Sequence, residues 1–304
     1  MQAQALPIIF VKHLTKQYGI QKAADNVSFS INAGEVIGFV GLNGAGKSTT
    51  INLILGFLRA SSGSIEVLGH TIKPETAHQV HDKIGFASGD MSLFEHLTGD
   101  QYLRFVSNRF KLKNHDRRTE LERQFHPQLD KPIGDLSRGN KQKIALIAAF
   151  LARPKLVILD EPSSGLDPFM QESFLDLIRQ EQAAGTTIFM SSHYLNEVAQ
   201  VCSRILFMRE GKLVKDIDAY ELEQASGKLV SVISEALLHS PKGAENIQTT
   251  KNQHHELTFV FKGDPKTLLS WLAMQKRVID FSVSEHDLQA EFAHLVEPSK
   301  DAKS

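Results

Sequence analysis

Residues 36–49 read VIGFVGLNGAGKST, a short apolar run followed by a glycine-rich loop. The first five residues are apolar, β-branched or aromatic, a run too short for a helix and suited to a strand covered on both faces. Beyond the glycines, Ile51, Ile54, Leu55 and Leu58 recur at helical spacing, which predicts a helix running to Leu58. Strand, glycine loop and helix in this order make a phosphate loop. Gly41, Gly44 and Gly46 permit backbone angles that turn successive N–H groups inward, so an anion nest forms at the positive end of the helix. Leu42, Asn43 and Ala45 complete that loop. Lys47 reaches the β- and γ-phosphates, Ser48 offers its hydroxyl to Mg²⁺, and Thr49 bonds the α-phosphate side.

Three more apolar runs read as buried strands: 156–159 (LVIL), 187–190 (TIFM) and 205–208 (ILFM). Helical spacing precedes the first at Ile144, Ile147, Ala148 and Leu151, and follows it at Met170, Phe174, Leu177 and Ile178. Strand and helix in alternation predict an α/β fold with a parallel-sheet core, whose ligands sit beyond the carboxyl ends of the strands. The run at 156–159 stops there on two carboxylates. Asp160 is placed to hold Mg²⁺ through a water, and Glu161, one residue further out, to polarise an attacking water. An acidic strand end alone is commonplace; paired with Lys47 and Ser48 it becomes specific.

The 304 residues suit one large domain and a smaller one. With 34 Lys and Arg against 35 Asp and Glu, the net charge of −1 gives no global field for nucleic acid or an anionic membrane. A single cysteine, Cys202, excludes an intrachain disulfide and reads as a small buried apolar residue. The amino-terminal sequence lacks a signal-peptide order, and the longest apolar stretch, 144–152, falls short of the roughly 20 residues that span a membrane. Any membrane role is therefore expected to go through a partner. Residues 98–125 turn charged and aromatic, which predicts an inserted helical subdomain at about 90–150 within a domain of 1–220.

From 221 to 304 the pattern changes to a small α+β domain, with alternation at Leu257, Phe259 and Phe261 and at Ile279, Phe281 and Val283. Leu288, Phe292 and Leu295 then recur at helical spacing, and Trp271 is expected in the core of this domain. No convergent polar set marks a pocket there, so it reads as a packing extension supporting dimer contacts. The pairs His78/His81 and His254/His255 lack partners at zinc spacing and read as surface residues.

Residues 136–143, LSRGNKQK, resemble the signature motif of ATP-binding cassette (ABC) proteins. Residues 163–168, SSGLDP, resemble the family's D-loop, 191–193, SSH, its switch histidine, and Tyr18 in KQYG the aromatic residue that stacks on adenine. The resemblance covers about residues 6–217 and implies the P-loop NTPase fold of ABC ATPases, with ATP and Mg²⁺ as cofactors. It also implies a head-to-tail dimer in which each ATP lies between one subunit's phosphate loop and the other's signature motif. Ser137, Gly139 and Asp167 then meet nucleotide across that dimer, His193 contacts the γ-phosphate and attacking water, and Glu161 is the catalytic base. Ser137 also reads as the N-cap of the helix holding Ile144 to Leu151, which points its hydroxyl, the Gly139 amide and a helix dipole the same way.

The chain departs from the family pattern in two places. Arg138 and Asn140 stand where the commonest signature has Gly and Gln, and Gly89 stands where a glutamine is usual. Asp90 or a water is expected to complete the Mg²⁺ shell instead. Residues 90–103, DMSLFEHLTGDQYL, are expected to include the surface that receives a permease's coupling helix. Residues 137–143 (SRGNKQK), 97–103 (LTGDQYL) and 278–296 (VIDFSVSEHDLQAEFAHLV) together resemble the branch that pairs one ATPase chain with a separate multi-helix permease and usually exports drugs, lipids, polysaccharides or peptides. The expectation is thus an ATPase subunit of an exporter, held by the permease at the cytoplasmic face of the membrane and not binding nucleic acid. The alternative is a soluble cassette ATPase acting on ribosomes or DNA. It is disfavoured by the single phosphate loop, by only 90 positions between Lys47 and Ser137, and by the neutral charge.

Overall fold

A computed structural model describes residues 6–89, 93–112, 115–251 and 254–285. The chain forms two compact units, Met1–Ile217 and Asp218–Ser304. The first unit opens with strands β1 (Ile9–Tyr18), β2 (Gln21–Ile31) and β3 (Val36–Val40), then helix α1 (Lys47–Ile54), strands β4 (Ser62–Val67) and β5 (His70–Thr71), and β6 (Ile84–Ser88). Helices α2 (Gly99–Arg109), α3 (Asp116–Phe125) and α4 (Arg138–Leu151) follow. Then come β7 (Leu156–Asp160), α5 (Pro168–Ala183), β8 (Thr187–Ser192), α6 (Leu195–Ala199), β9 (Arg204–Arg209) and β10 (Lys212–Asp218).

The core sheet has the order β10-β9-β3-β8-β7-β6, with parallel pairing across β9, β3, β8, β7 and β6. β3, β7 and β8 are buried along their whole length, the condition that an uninterrupted apolar run reports. The register sets Val40 opposite Ser192, Asp160 opposite Ser191, and Ser88 opposite Asp160. The carboxyl ends of four strands therefore reach one edge together, and the residues that follow them converge there.

A second, antiparallel sheet, β2-β1-β4-β5, faces the core sheet. Phe29 of β2 joins Phe39 and Phe189 of the core sheet at centroid distances of 6.1, 5.8 and 5.2 Å, a cluster that seals one sheet on the other. α1 is shorter than the spacing of its apolar residues predicts. It ends at Ile54, because Gly56 takes a φ of +72° where a Cβ would stand 2.3 Å from the Cβ of Ala77. Leu55 is nevertheless buried and Leu58 half-buried against the same core, so the apolar pattern reports burial while the backbone turns away from a helix.

α2 begins with a capping box in which Thr98 and Gln101 exchange side-chain to backbone hydrogen bonds. Arg118 of α3 bonds Asp100 of α2 at 2.6 Å and Glu122 at 2.5 Å, and that guanidinium holds the Asp100 carboxyl below the usual range. The second unit contains α7 (Ala219–Ser226), β11 (Lys228–Ser234), β12 (Ala244–Lys251), β13 (His255–Phe261), α8 (Pro265–Met274) and β14 (Val278–Glu285), with sheet order β12-β13-β11-β14. Val230, Val232, Leu257, Phe259 and Leu268 form its core. Trp271 sits at the margin of that core rather than inside it, edge-on to Phe259 and donating from Nε1 to the His239 carbonyl. The alternation at Ile279, Phe281 and Val283 produces β14, but these side chains are 50%, 57% and 45% exposed rather than covered. Leu288, Phe292 and Leu295 lie outside the described residues.

Candidate active site

The loop from Gly41 to Gly46 turns β3 into α1. Gly46 occupies the position before the helix at φ +103°, and a Cβ there would stand 2.0 Å from the Ala23 carbonyl oxygen, so only glycine fits. Leu42, Asn43 and Gly44 are exposed and Ala45 is buried; Ser48 opens outward in the first turn of α1 with Thr49 half-buried beside it. Lys47 is buried, and its Nζ donates to the Gly41 carbonyl at 2.7 Å. The same ammonium stands 3.1 Å from Glu161 Oε1, an ion pair without hydrogen-bond alignment.

Glu161 follows β7 with φ +51°, a left-handed conformation uncommon for a side-chain-bearing residue. Its amide donates to Ser191 Oγ at 3.0 Å, while the Ser191 hydroxyl donates to Asp160 Oδ1 at 2.6 Å. One serine on β8 thus fixes both acidic residues. His193 brings Nδ1 within 2.6 Å of Glu161 Oε2. Gln142 of α4 braces the loop from below, donating to the Pro162 carbonyl at 2.8 Å. The structure brings Lys47, Asp160, Glu161 and His193 together at this edge. Ser191 and Gln142 are positioning residues that sequence reasoning missed, although the placement of SSH after a strand was a usable signal for the first.

The donor set suits Mg²⁺: the Ser48 hydroxyl and the buried Asp160 carboxylate are hard oxygen ligands, and Asp160 has no cation of its own in the interactions described above. Asp90 lies outside the described residues. Among the described residues no cluster of three or more His, Cys, Asp or Glu could hold a metal by itself. His81 instead hydrogen bonds the Leu55 carbonyl at 2.7 Å.

Ser137 caps α4, its hydroxyl accepting from the Asn140 amide, and it is exposed together with Arg138. Asp167 caps α5, accepting from the Met170 amide at 3.0 Å, with Pro168 in the first helical turn. Tyr18 ends β1 with its ring 49% exposed and the Lys16 ammonium 4.8 Å from the ring centre. Cys202 is buried, which pushes its thiol upward and keeps it inert.

Glu197, four residues after His193, is a further group that the sequence did not single out. Its Oε2 accepts from the Ser192 hydroxyl at 3.0 Å, while Oε1 is buried without a hydrogen-bond partner among the described residues. Burial raises its pKa above the ordinary 4.5, a rise that the hydroxyls of Ser163 and Ser192 oppose and that nearby Glu161 reinforces. A carboxyl raised on folding contributes full stability below its unfolded value, and that contribution is lost as pH rises through the folded value. Glu197→Gln should therefore melt higher than the parent at pH 8, by up to about 2–4 °C, the shift expected of about 1 kcal/mol in a domain of this size. The gap should narrow toward pH 5 in calorimetric scans; a gap independent of pH would contradict the assignment.

A family model described as ABC transporter matches residues 24–164. The bacitracin transport ATP-binding protein BcrA of Enterococcus faecalis is 32% identical over 250 residues, covering 76% of this chain and 79% of that protein. The chain belongs to the ABC transporter ATP-binding family. The probable multidrug ABC transporter ATP-binding protein YbhF of Escherichia coli (strain K12) is 34% identical over 212 residues, covering 68% of this chain. That alignment spans 36% of YbhF, about a third of its length. A solved ATP binding subunit of an ABC transporter superposes with a TM-score of 0.65 at 28% identity, over 72% of this chain and 92% of that one. The ABC ATPase fold expected from the motifs is thus the fold observed, and residues 24–164 of the ABC match run from β2 through Glu161 to Ser164.

Proposed function

We propose that this chain is the ATP-hydrolysing subunit of an exporter-type ABC transporter, working as a head-to-tail pair beneath a separate membrane permease. The observation that carries the reading is the convergence of Lys47, Asp160, Glu161 and His193 at the carboxyl edge of one parallel sheet. The BcrA and YbhF names, a bacitracin transport and a probable multidrug ATP-binding protein, support export. Among the described residues no helix is long and apolar enough to cross a membrane.

In this reading the inward amides of the phosphate loop receive the β-phosphate, and Lys47 leaves the Gly41 carbonyl to reach the γ-phosphate. Tyr18 stacks on the adenine. Mg²⁺, held by Ser48 and Asp160, neutralises phosphate charge when bound. Glu161 accepts the proton of the attacking water, and His193 contacts that water and the γ-phosphate. Ser137 and Gly139 of the partner subunit close over the γ-phosphate with the positive end of α4, and Asp167 stands at the same junction. Binding closes the pair, hydrolysis reopens it, and a permease seated on the surface near Leu93 and Glu95 takes up the motion. That surface carries a cleft of about 360 Å³ and the exposed rings of Phe94 and Phe105, 5.6 Å apart.

The test is affinity capture of the tagged full chain from solubilised membranes of its native host, with ATPase activity recorded on the captured material. Stoichiometric recovery of a polytopic membrane protein is the expected result. Recovery of ribosomes or nucleic acid from the soluble fraction, with nothing from the membrane, would overturn it.

A further inference from the structure

Arg138 and Gly89 are two of the residues that depart from the family pattern, and the structure brings them together. The Arg138 guanidinium donates from Nη2 to Ser164 Oγ at 3.0 Å, crossing from the amino end of α4 to the loop after Glu161. Glycines from three separate segments line its route. A Cβ on Gly89 would stand 2.9 Å from the Glu161 carbonyl oxygen, 3.3 Å from the Ser164 Cβ and 3.7 Å from Arg138 Nη2. On Gly165, already at φ +89°, it would stand 3.3 Å from both Cγ and Cδ of Arg138. On Gly139 it would press within 2.7 Å of the Gly165 carbonyl oxygen, so α4 approaches this loop as closely as backbone allows. Any side chain at position 89 would start crowded by the Glu161 carbonyl and Ser164, in contact distance of the guanidinium.

We infer that Arg138 is a positioning residue that ties the signature end of α4 to the catalytic loop, so that the two ATP sites of the pair respond to each other. This rests on the dimeric ATPase reading above. Arg138 lies between Ser137 and Gly139, the groups that face the partner's ATP. Ser164, its bonding partner, donates its amide to the Glu161 carbonyl at 3.2 Å, and Glu161 serves the subunit's own ATP. A displacement of α4 at one nucleotide is therefore passed through two hydrogen bonds to the base at the other. The Glu161 backbone, held in the left-handed region at φ +51°, is the element that this pull can reset. In the single chain the Arg138–Ser164 bond is exposed, so its loss should leave the fold's stability almost untouched. Its influence appears only when closure covers it.

The experiment compares the ATP dependence of hydrolysis by the purified full chain with that of Arg138→Ala, Ser164→Ala and Arg138→Lys. The parent should show a Hill coefficient approaching about two, the ceiling set by two sites. Arg138→Ala and Ser164→Ala should each fall toward about one, with kcat down about tenfold, half-saturating ATP within about threefold and an unchanged melting temperature. Arg138→Lys, which keeps the charge and a donor, should recover part of the cooperativity. Elution of Glu161→Gln with ATP as a dimer checks the underlying reading separately. No such dimer together with a parent coefficient of one would overturn the dimer reading and the proposal with it. A trapped dimer beside a parent coefficient near one, or beside an Arg138→Ala coefficient equal to the parent's, would overturn the proposal alone.

Discussion

Replacing Glu161 by glutamine should slow ATP hydrolysis by about 10²- to 10⁴-fold, the range a positioned general base contributes, while leaving ATP bound at least as tightly. The two halves have separate causes. Glutamine keeps the volume and a carbonyl-type acceptor that His193 can still address, so the 2.6 Å contact at Nδ1 and the turn at φ +51° should survive. What it cannot do is take a proton from water. Binding should improve because the carboxylate stands 3.1 Å from the Lys47 ammonium in the nucleotide-free chain and holds it back from a triphosphate. Removing one negative charge a few ångströms from the phosphates relieves repulsion worth up to about 4 kcal/mol at an effective dielectric of 20, much of it screened by solvent at this half-buried site. A gain of about twofold to tenfold in affinity is the expected remainder. Phosphate release and a fluorescent-nucleotide titration on the same preparation read both. A kcat within about threefold of the parent would remove Glu161 from the role of base.

The parts of this site that could be read in the sequence are those whose chemistry restricts residue type locally. The phosphate loop needs glycine wherever φ is positive or backbone approaches backbone, as at Gly46 against Ala23, and such demands leave a dense local mark. β7 could be read because both of its faces are covered, which forces an apolar run that stops at Asp160 and Glu161. The antiparallel sheet left no such mark. β1 and β2 slip register where His13 and Asn26 adopt φ of 49° and 56°, and the slips break the alternation that would have announced two strands.

Ser191, Gln142 and Glu197 escaped for a different reason. Each acts by where the sheet or helix packing delivers it, and a serine or glutamine that braces a distant loop looks like any other in the chain. Arg138 and Gly89 stood out singly as unusual, yet nothing local says that 49 residues of separation close to contact. The exposed side chains of β14 give the converse lesson: alternation specifies a strand and the identity of its apolar face, while covering that face is a matter of what packs on it.

Lys47→Ala should weaken ATP binding by about 30- to 700-fold, the equivalent of about 2–4 kcal/mol at 1.4 kcal/mol per decade. The lysine is buried, anchored by its 2.7 Å bond to Gly41, and its ammonium has a short path from that carbonyl to a phosphate oxygen in the same loop. Little side-chain entropy remains to be lost on binding, so what the charge-assisted bond gains over the Gly41 and Glu161 contacts it replaces is realised as affinity. The nucleotide-free chain should feel the change as well. Alanine takes the donor from the Gly41 carbonyl and the cation from Glu161, whose Oε1 has no hydrogen-bond partner among the described residues, so the melting temperature should fall by about 2–4 °C per kcal/mol lost. Lys47→Arg separates charge from fit. It keeps the positive charge but places a planar fork where one compact ammonium sits between Gly41 and Glu161, so it should recover stability better than it recovers affinity. Isothermal titration with ATP and thermal scans on the three proteins test both effects. If arginine restored full affinity, the loop would be reading charge alone, and the close backbone cradle around Lys47 would have no part in recognising phosphate.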